Sequence, residues 1–181
     1  MKKGFTLMEL LVVMAILGIL ITVGLTSYKS VQMKSRDSRR KSDMRQISSA
    51  LELYFNDKGR YPADDGAGKI QGCGTGDNQV CAWGSAMKDS NNTIYMVALP
   101  GDPVGARQYY YDSYGSQGKG YQLYARLENS EDIDLKRDGS NNIYYYLGTL
   151  CFGTKKCNFG IASPNLGLDD ASQGHTLTTT D

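Results

Sequence analysis

The sequence predicts an α+β protein. One long N-terminal α-helix, membrane-spanning in its first half, is packed by its second half against a small antiparallel β-sheet head, in the outline of a lollipop. Three observations predict this. An apolar run extends from Leu10 to Val23. Beyond it Tyr28, Val31, Met44, Ile47, Leu51 and Tyr54 recur at three- and four-residue steps, with no proline before Pro62. After that point the chain turns to short alternating runs separated by Gly, Asn, Asp and Ser, as strands and turns require.

Residues 1–4 form a short basic leader, Met1-Lys2-Lys3-Gly4. Residues 5–25 supply about 20 mostly apolar positions, enough to cross a hydrocarbon core of about 30 Å. Lys2 and Lys3 are expected to hold the N-terminus in the cytoplasm, which sends the remainder to the far side. Glu9 is the one charged residue of this segment. In lipid it would cost about 2.5–3.5 kcal/mol, so it either reaches back to the headgroups or has a partner.

Residues 26–58 continue the helix as an amphipathic second half, giving roughly 80 Å in all at 1.5 Å per residue. Lys58-Gly59-Arg60-Tyr61-Pro62 ends it, with Gly59 placed as the C-terminal cap. Between the two halves, residues 35–43 carry a charge cluster. Asp37 and Asp43 dilute its field and no aromatic residues alternate with the basic ones, so a solvated neck with subunit contacts is expected rather than a nucleic-acid patch.

Residues 59–162 are expected to form the head. A loop from Ala63 to Asn92 is followed by strands over Thr93–Leu99, Gln108–Asp112, the alternation Tyr121, Leu123, Ala125, Leu127, and Ile143–Leu147. Thirteen Tyr against four Phe suit wet, half-buried surfaces. Residues 163–181 read as a polar surface tail. A net charge of +1 points to no polyanionic partner.

The stretch Gly4-Phe5-Thr6-Leu7-Met8-Glu9 behind a short basic leader resembles the class III signal of type IV pilins and of the pseudopilins of type II secretion. The resemblance implies cleavage between Gly4 and Phe5 by a prepilin peptidase and N-methylation of Phe5. It also implies that Glu9 pairs with the charged N-terminus of a neighbouring subunit and, with Phe5, sets filament register. Leu99-Pro100-Gly101-Asp102-Pro103, with Asn56 to Pro62 before it, resembles the major pseudopilin and related pilins over residues 5 to about 127.

The expected function is therefore that of a major pilin polymerising into a type IV pilus, with a secretion pseudopilin as the alternative. A membrane-tethered binding domain that never polymerises is the alternative of another class, and it would need neither Glu9 nor processing. The implied partners are the subunit itself as a helical homopolymer, the peptidase, a platform membrane protein, an assembly ATPase, and the cytoplasmic membrane that holds the precursor before it enters a surface filament.

Cys73, Cys81, Cys151 and Cys157 all lie on the side that this topology makes oxidising. Four cysteines allow three connectivities. The local pairs Cys73 with Cys81 and Cys151 with Cys157 are favoured because each brackets a loop containing glycine. Zinc is disfavoured by the absence of C-x-x-C spacing and by a single His. The resemblance implies calcium in an acidic loop, with Asp132, Asp134 and Asp138 as the candidate ligands, although the EF-hand pattern fails and Lys136 interrupts the set. No cofactor is otherwise required. Asn91-Asn92-Thr93, with Asp89 two residues before Asn91, is an N-x-T glycosylation triplet. His175 stands alone and no nucleophile motif appears, so no enzyme is expected.

Overall fold

The computed structural model describes residues 4–115, 118–168 and 175–181, with the backbone alone at 23–27. A single helix, α1 (Leu7–Lys58), runs 52 residues. Thr6 caps its start in extended conformation, and Gly59 ends it at φ 70° with its N–H donating to Phe55 O. That left-handed conformation is cheap for glycine and strained for other residues.

The strands that follow are β1 (Gln71–Cys73), β2 (Gln79–Val80), β3 (Met87–Lys88), β4 (Ile94–Met96), β5 (Tyr110–Tyr114) and β6 (Gly120–Ala125). After them come β7 (Tyr145–Tyr146), β8 (Leu150–Phe152), β9 (Lys155–Lys156), β10 (Phe159–Ala162) and β11 (Leu177–Thr178). The central sheet is antiparallel in the order β10-β6-β5, with Tyr111 opposite Leu123 and Ile161 on the other side of Leu123. The remaining strands form two-stranded ribbons, β1-β2, β3-β4, β8-β9 and β7-β11.

The outer edge of β5 is covered by the loop before β1. Tyr111 N donates to Gly68 O at 2.9 Å, and Ser113 N and Oγ donate to Asp64 at 3.2 and 2.9 Å.

The core lies between the second half of α1 and the sheet. Met44, Ile47, Leu51 and Tyr54 face Ile70, Met87, Leu99, Tyr111, Tyr121 and Leu123, all essentially without solvent exposure. Four tyrosines of the core are more deeply buried than the composition suggests, because each of their rings fills the core while its hydroxyl reaches a partner. Tyr109 donates to Asp43 at 2.9 Å, Tyr111 to Pro62 O at 2.6 Å and Tyr61 to Glu52 at 3.0 Å, and the Tyr121 hydroxyl lies 2.6 Å from Ser48 Oγ. Burial of aromatic area with the polar tip satisfied is the combination that stabilises a buried Tyr. The approach is close at Gly118, whose φ is 58° and where an added Cβ would lie 2.4 Å from Tyr61 O.

Three sequence expectations are corrected. The third strand of the central sheet is β10, which has no clear alternation, while Ile143–Leu147 contracts to β7 and leaves that sheet for β11. Tyr28 and Val31 are 61% and 64% exposed, so the packed stripe begins only near Asp37. The polar tail is tied to the head wherever it is described, residues 169–174 lying outside the described residues. Ser163 exchanges hydrogen bonds with Tyr121, Gln122 Nε2 donates to Gly167 O at 2.6 Å, and Leu177 and Thr178 pair with Tyr146 and Tyr145. Charge and hydrogen bonding replace apolar area here: Asp181 accepts from Arg126 at 2.7 and 2.8 Å and from Lys155 at 2.8 Å.

His175 is the anchor of that tail. It is buried against the rings of Tyr124 and Tyr110, with Nε2 2.8 Å from Asp112 Oδ2 and Nδ1 2.8 Å from Leu147 O. The hydrogen bond to Asp112 holds its pKa above the ordinary 6.5, against the opposing effect of burial. A raised folded-state value means that the stabilisation is fully present below about pH 6.5 and fades as pH rises through that value. Replacing His175 by Gln is expected to cost about 1–2 kcal/mol near pH 6. The wild-type melting temperature should also fall toward that of the variant between about pH 6 and pH 9. A constant gap across that range, measured by thermal unfolding, would show that the imidazole acts only by packing.

Candidate functional site

Two regions bear on function: the exposed start of α1 and the clasp by which its middle carries the head. At the start, Thr6 and Glu9 form a capping box. Thr6 Oγ1 accepts from Glu9 N at 3.2 Å and donates to Glu9 Oε2 at 2.7 Å, and Thr6 N donates to the same oxygen at 2.8 Å. These contacts satisfy orphan donors of the first turn. Thr-x-x-Glu is a sequence signal for them, and it is present at positions 6–9. Glu9 thus has a partner within its own chain.

Phe5 is 87% exposed, and the large apolar side chains from Leu7 to Ile21 are exposed all round the helix, the least of them by 46%. An apolar surface of that extent marks a protein or membrane contact. Among the described residues no helix is long and apolar enough to cross a membrane. The side chains of 23–27 lie outside them, and the apolar sequence continues there through Val23 and Leu25.

The charge cluster at 35–43 is not a solvated neck. Asp37, Arg40 and Asp43 are buried, Arg40 completely. Arg40 grips Asp102 with two bonds, Nε to Oδ2 at 2.6 Å and Nη2 to Oδ1 at 2.9 Å, while Nη1 reaches Asp37 Oδ1 and Glu128 Oε1 at 2.7 Å each. Arg36 binds both oxygens of Glu128, at 2.8 and 2.6 Å. Asp37 in turn accepts from the backbone N–H groups of Glu128 and Asn129. Burial alone would lower the Arg40 pKa, but its bonds to Asp102 and Glu128 hold it above the ordinary value.

The Arg36 guanidinium, followed by that of Arg40, holds the Glu128 carboxyl at about 2 instead of 4.5. Its stabilising contribution is complete above about pH 4.5 and is lost as pH falls through the depressed folded value. The signal that locates the clasp is spacing: Arg40 stands four residues before Met44 and seven before Ile47, on the stripe that enters the core.

The cysteines form two bonds, Cys73 with Cys81 across β1-β2 and Cys151 with Cys157 across β8-β9, with Cα–Cα separations of 5.3 and 5.2 Å. The three candidate calcium ligands are not gathered. Asp132 and Asp134 face the Lys41 ammonium at 2.5 and 2.6 Å, and Asp138 turns inward on its own loop, accepting from Ser140 N, Asn142 N and Asn142 Nδ2. Among the described residues no group of three or more His, Cys, Asp or Glu side chains is placed to hold a metal ion. These residues do not fit a calcium site. At the glycosylation triplet Asn91 is exposed, while Asp89 is buried and bonded to Lys58 at 2.7 Å and Tyr95 at 3.2 Å.

Residues 1–25 match the family model described as the prokaryotic N-terminal methylation motif. A type II secretion system core protein G of Pseudomonas aeruginosa is 32% identical over 142 residues, covering 78% of this chain and 90% of that protein. The fimbrial protein EcpC of Eikenella corrodens is 39% identical over 38% of this chain and 45% of its own length. The type IV major pilin protein PilA of Myxococcus xanthus is 36% identical over 33% of this chain and 27% of its own. No solved structure matches. A match to the N-terminal methylation motif, an exposed apolar helix and a head of small antiparallel sheets define a subunit of the pilin and pseudopilin class. The chain belongs to the family of type IV pilins and type II secretion pseudopilins, as a structural subunit.

Arg40→Met is expected to cost roughly 3–5 kcal/mol, because it strands Asp37, Asp102 and part of Glu128 without their cation. Arg39→Met, on the exposed side of the same turn, should stay within about 0.5 kcal/mol. Chemical denaturation of the two variants distinguishes a load-carrying clasp from a solvated neck, for which the two losses would be equal.

Proposed function

We propose that this protein is the major subunit of an extracellular type IV pilus. The precursor is held in the cytoplasmic membrane by residues 5–25 with its N-terminus inside. It is cleaved between Gly4 and Phe5 by a prepilin peptidase and methylated on Phe5. A platform membrane protein and a cytoplasmic assembly ATPase then move it into a helical homopolymer. The observation that carries this reading is the exposed apolar half of α1, which one chain cannot bury. Lipid covers that surface in the precursor, and the same surface of other subunits covers it in the filament.

Glu9 has the second role in this reading. Oε2 already accepts from Thr6, and the other oxygen is left to meet the charged amine of a neighbour's Phe5. Pairing of buried charges contributes more to register than to raw stability, because a subunit out of step leaves both charges unpaired. The pilus is preferred on the build of the head, because about a fifth of the chain lies outside the match to the secretion protein.

A second reading, the pseudopilin of a type II secretion system, is favoured by that match reaching 78% of the chain when the two pilus proteins reach 38% and 33%.

Shearing filaments from producing cells and weighing the N-terminal peptide separates these readings. Methylated Phe5 in long sheared fibres is the expected result, whereas a processed subunit confined to the envelope would favour the pseudopilin. Retained Met1 to Gly4 would overturn both. Gly4→Val should block cleavage. Glu9→Ala should leave a processed, folded, membrane-held subunit that assembles poorly, and normal filaments from that variant would remove Glu9 from the mechanism.

A further inference from the structure

The loop between β6 and β7 carries Asp132 and Asp134 to the flank of α1, where a lysine and not a group of oxygen ligands meets them. Lys41 follows the buried Arg40 directly. Its Nζ donates to Asp132 Oδ1 at 2.5 Å and to Asp134 Oδ2 at 2.6 Å, and it stands 5.7 Å from the centroid of the Phe159 ring on β10. Only 15% of the Lys41 side chain and 15% of that of Asp132 are exposed. The site is therefore enclosed on the helix side and open at Asp134, which is 52% exposed.

Within the loop, Asp134 N donates to Asp132 Oδ1 at 3.0 Å, so the two carboxylates are positioned relative to each other before the helix is reached. Burial would lower the Lys41 pKa and the two carboxylates more than reverse this, so the ammonium stays charged across the neutral range. A calcium ion requires six to eight oxygens at about 2.3–2.6 Å. Here the oxygens nearest the helix meet a cation already, and Asp138 spends both of its oxygens inside its own turn.

We infer that Lys41 is the resident cation of this head: its ammonium holds the 129–142 loop against α1 in place of a divalent ion, and the fold of the head is independent of calcium. The chemistry of the two solutions differs in one respect. A bound ion comes and goes with its concentration in the medium, whereas a lysine is tethered and is lost only by deprotonation. A tethered cation also brings no vacant coordination position, so water and anions gain no ligand role at this point of the surface. The inference holds for either filament.

The test uses the full-length protein in detergent micelles, melted in excess chelator and in millimolar calcium chloride. The wild type should melt at the same temperature in both within about 1 °C. Lys41→Met should lower that temperature by about 3–6 °C in both, on the size scaling of such domains. Asp132→Asn should lower it by less, and the double variant by less than the sum of the two, since the residues share one interaction. A fall in the wild-type melting temperature on chelation would overturn the inference, and that measurement needs no variant to fold. Melting of Lys41→Met together with the wild type, or additive losses in the double variant, would overturn it as well.

Discussion

Arg40 has no solvent exposure, and a guanidinium in that position is tolerable only when every direction it points meets an acceptor. Asp102 takes two of its bonds, Asp37 and Glu128 take the others, and Arg36 and Arg107 balance the three carboxylates with two further positive charges. These partners come from three places in the chain: α1 itself, the turn before β5 and the residues just after β6. One side chain therefore fixes where the helix leaves the head, and the loops must follow. The apolar stripe of Met44, Ile47, Leu51 and Tyr54 can enter the core only in the rotation that Arg40 sets, because all five lie on one face.

The division of the helix into an exposed half and a packed half follows from the same point. Above the clasp, side chains have the sheet as their partner. Below it, nothing among the described residues covers Leu7 to Ile21, and the molecule presents a rod of apolar surface with a capped, charged first turn. Stability and assembly are thereby separated along one element: the head folds around residues 37–58, and the remainder is kept for contacts with other molecules. A single helix long enough to do both places the two tasks in mechanical series.

The long helix and the leader are legible in the sequence because their signals are local: a 3.6-residue period, Gly59 after the last turn, and Gly-Phe-Thr-Leu-Met-Glu at the start. The strand β10 is not legible. Phe159-Gly160-Ile161-Ala162 is four residues long with a glycine inside, and it is a strand only because β6 lies beside it. The clasp hides for another reason. A run of Arg, Lys, Ser and Asp has the composition of a solvated surface, and burial is decided by acceptors that arrive from residues 102 and 128, far away in sequence. Tail residues such as His175 and Asp181 are held by charge and hydrogen bonds to distant partners, so a hydropathy pattern passes over them.

The covering of β5 has a consequence for how copies of this protein join. An open sheet edge invites another strand, and β-proteins that leave one exposed risk uncontrolled stacking. Here the amides of Tyr111 and Ser113 that point away from the sheet are already engaged by Gly68 and Asp64. That rim offers an incoming backbone no donors at those positions, and the head cannot be extended there as a ribbon. In the proposed filament the contacts fall to the apolar rod of α1, where they are made by side chains and can be reversed without unfolding anything.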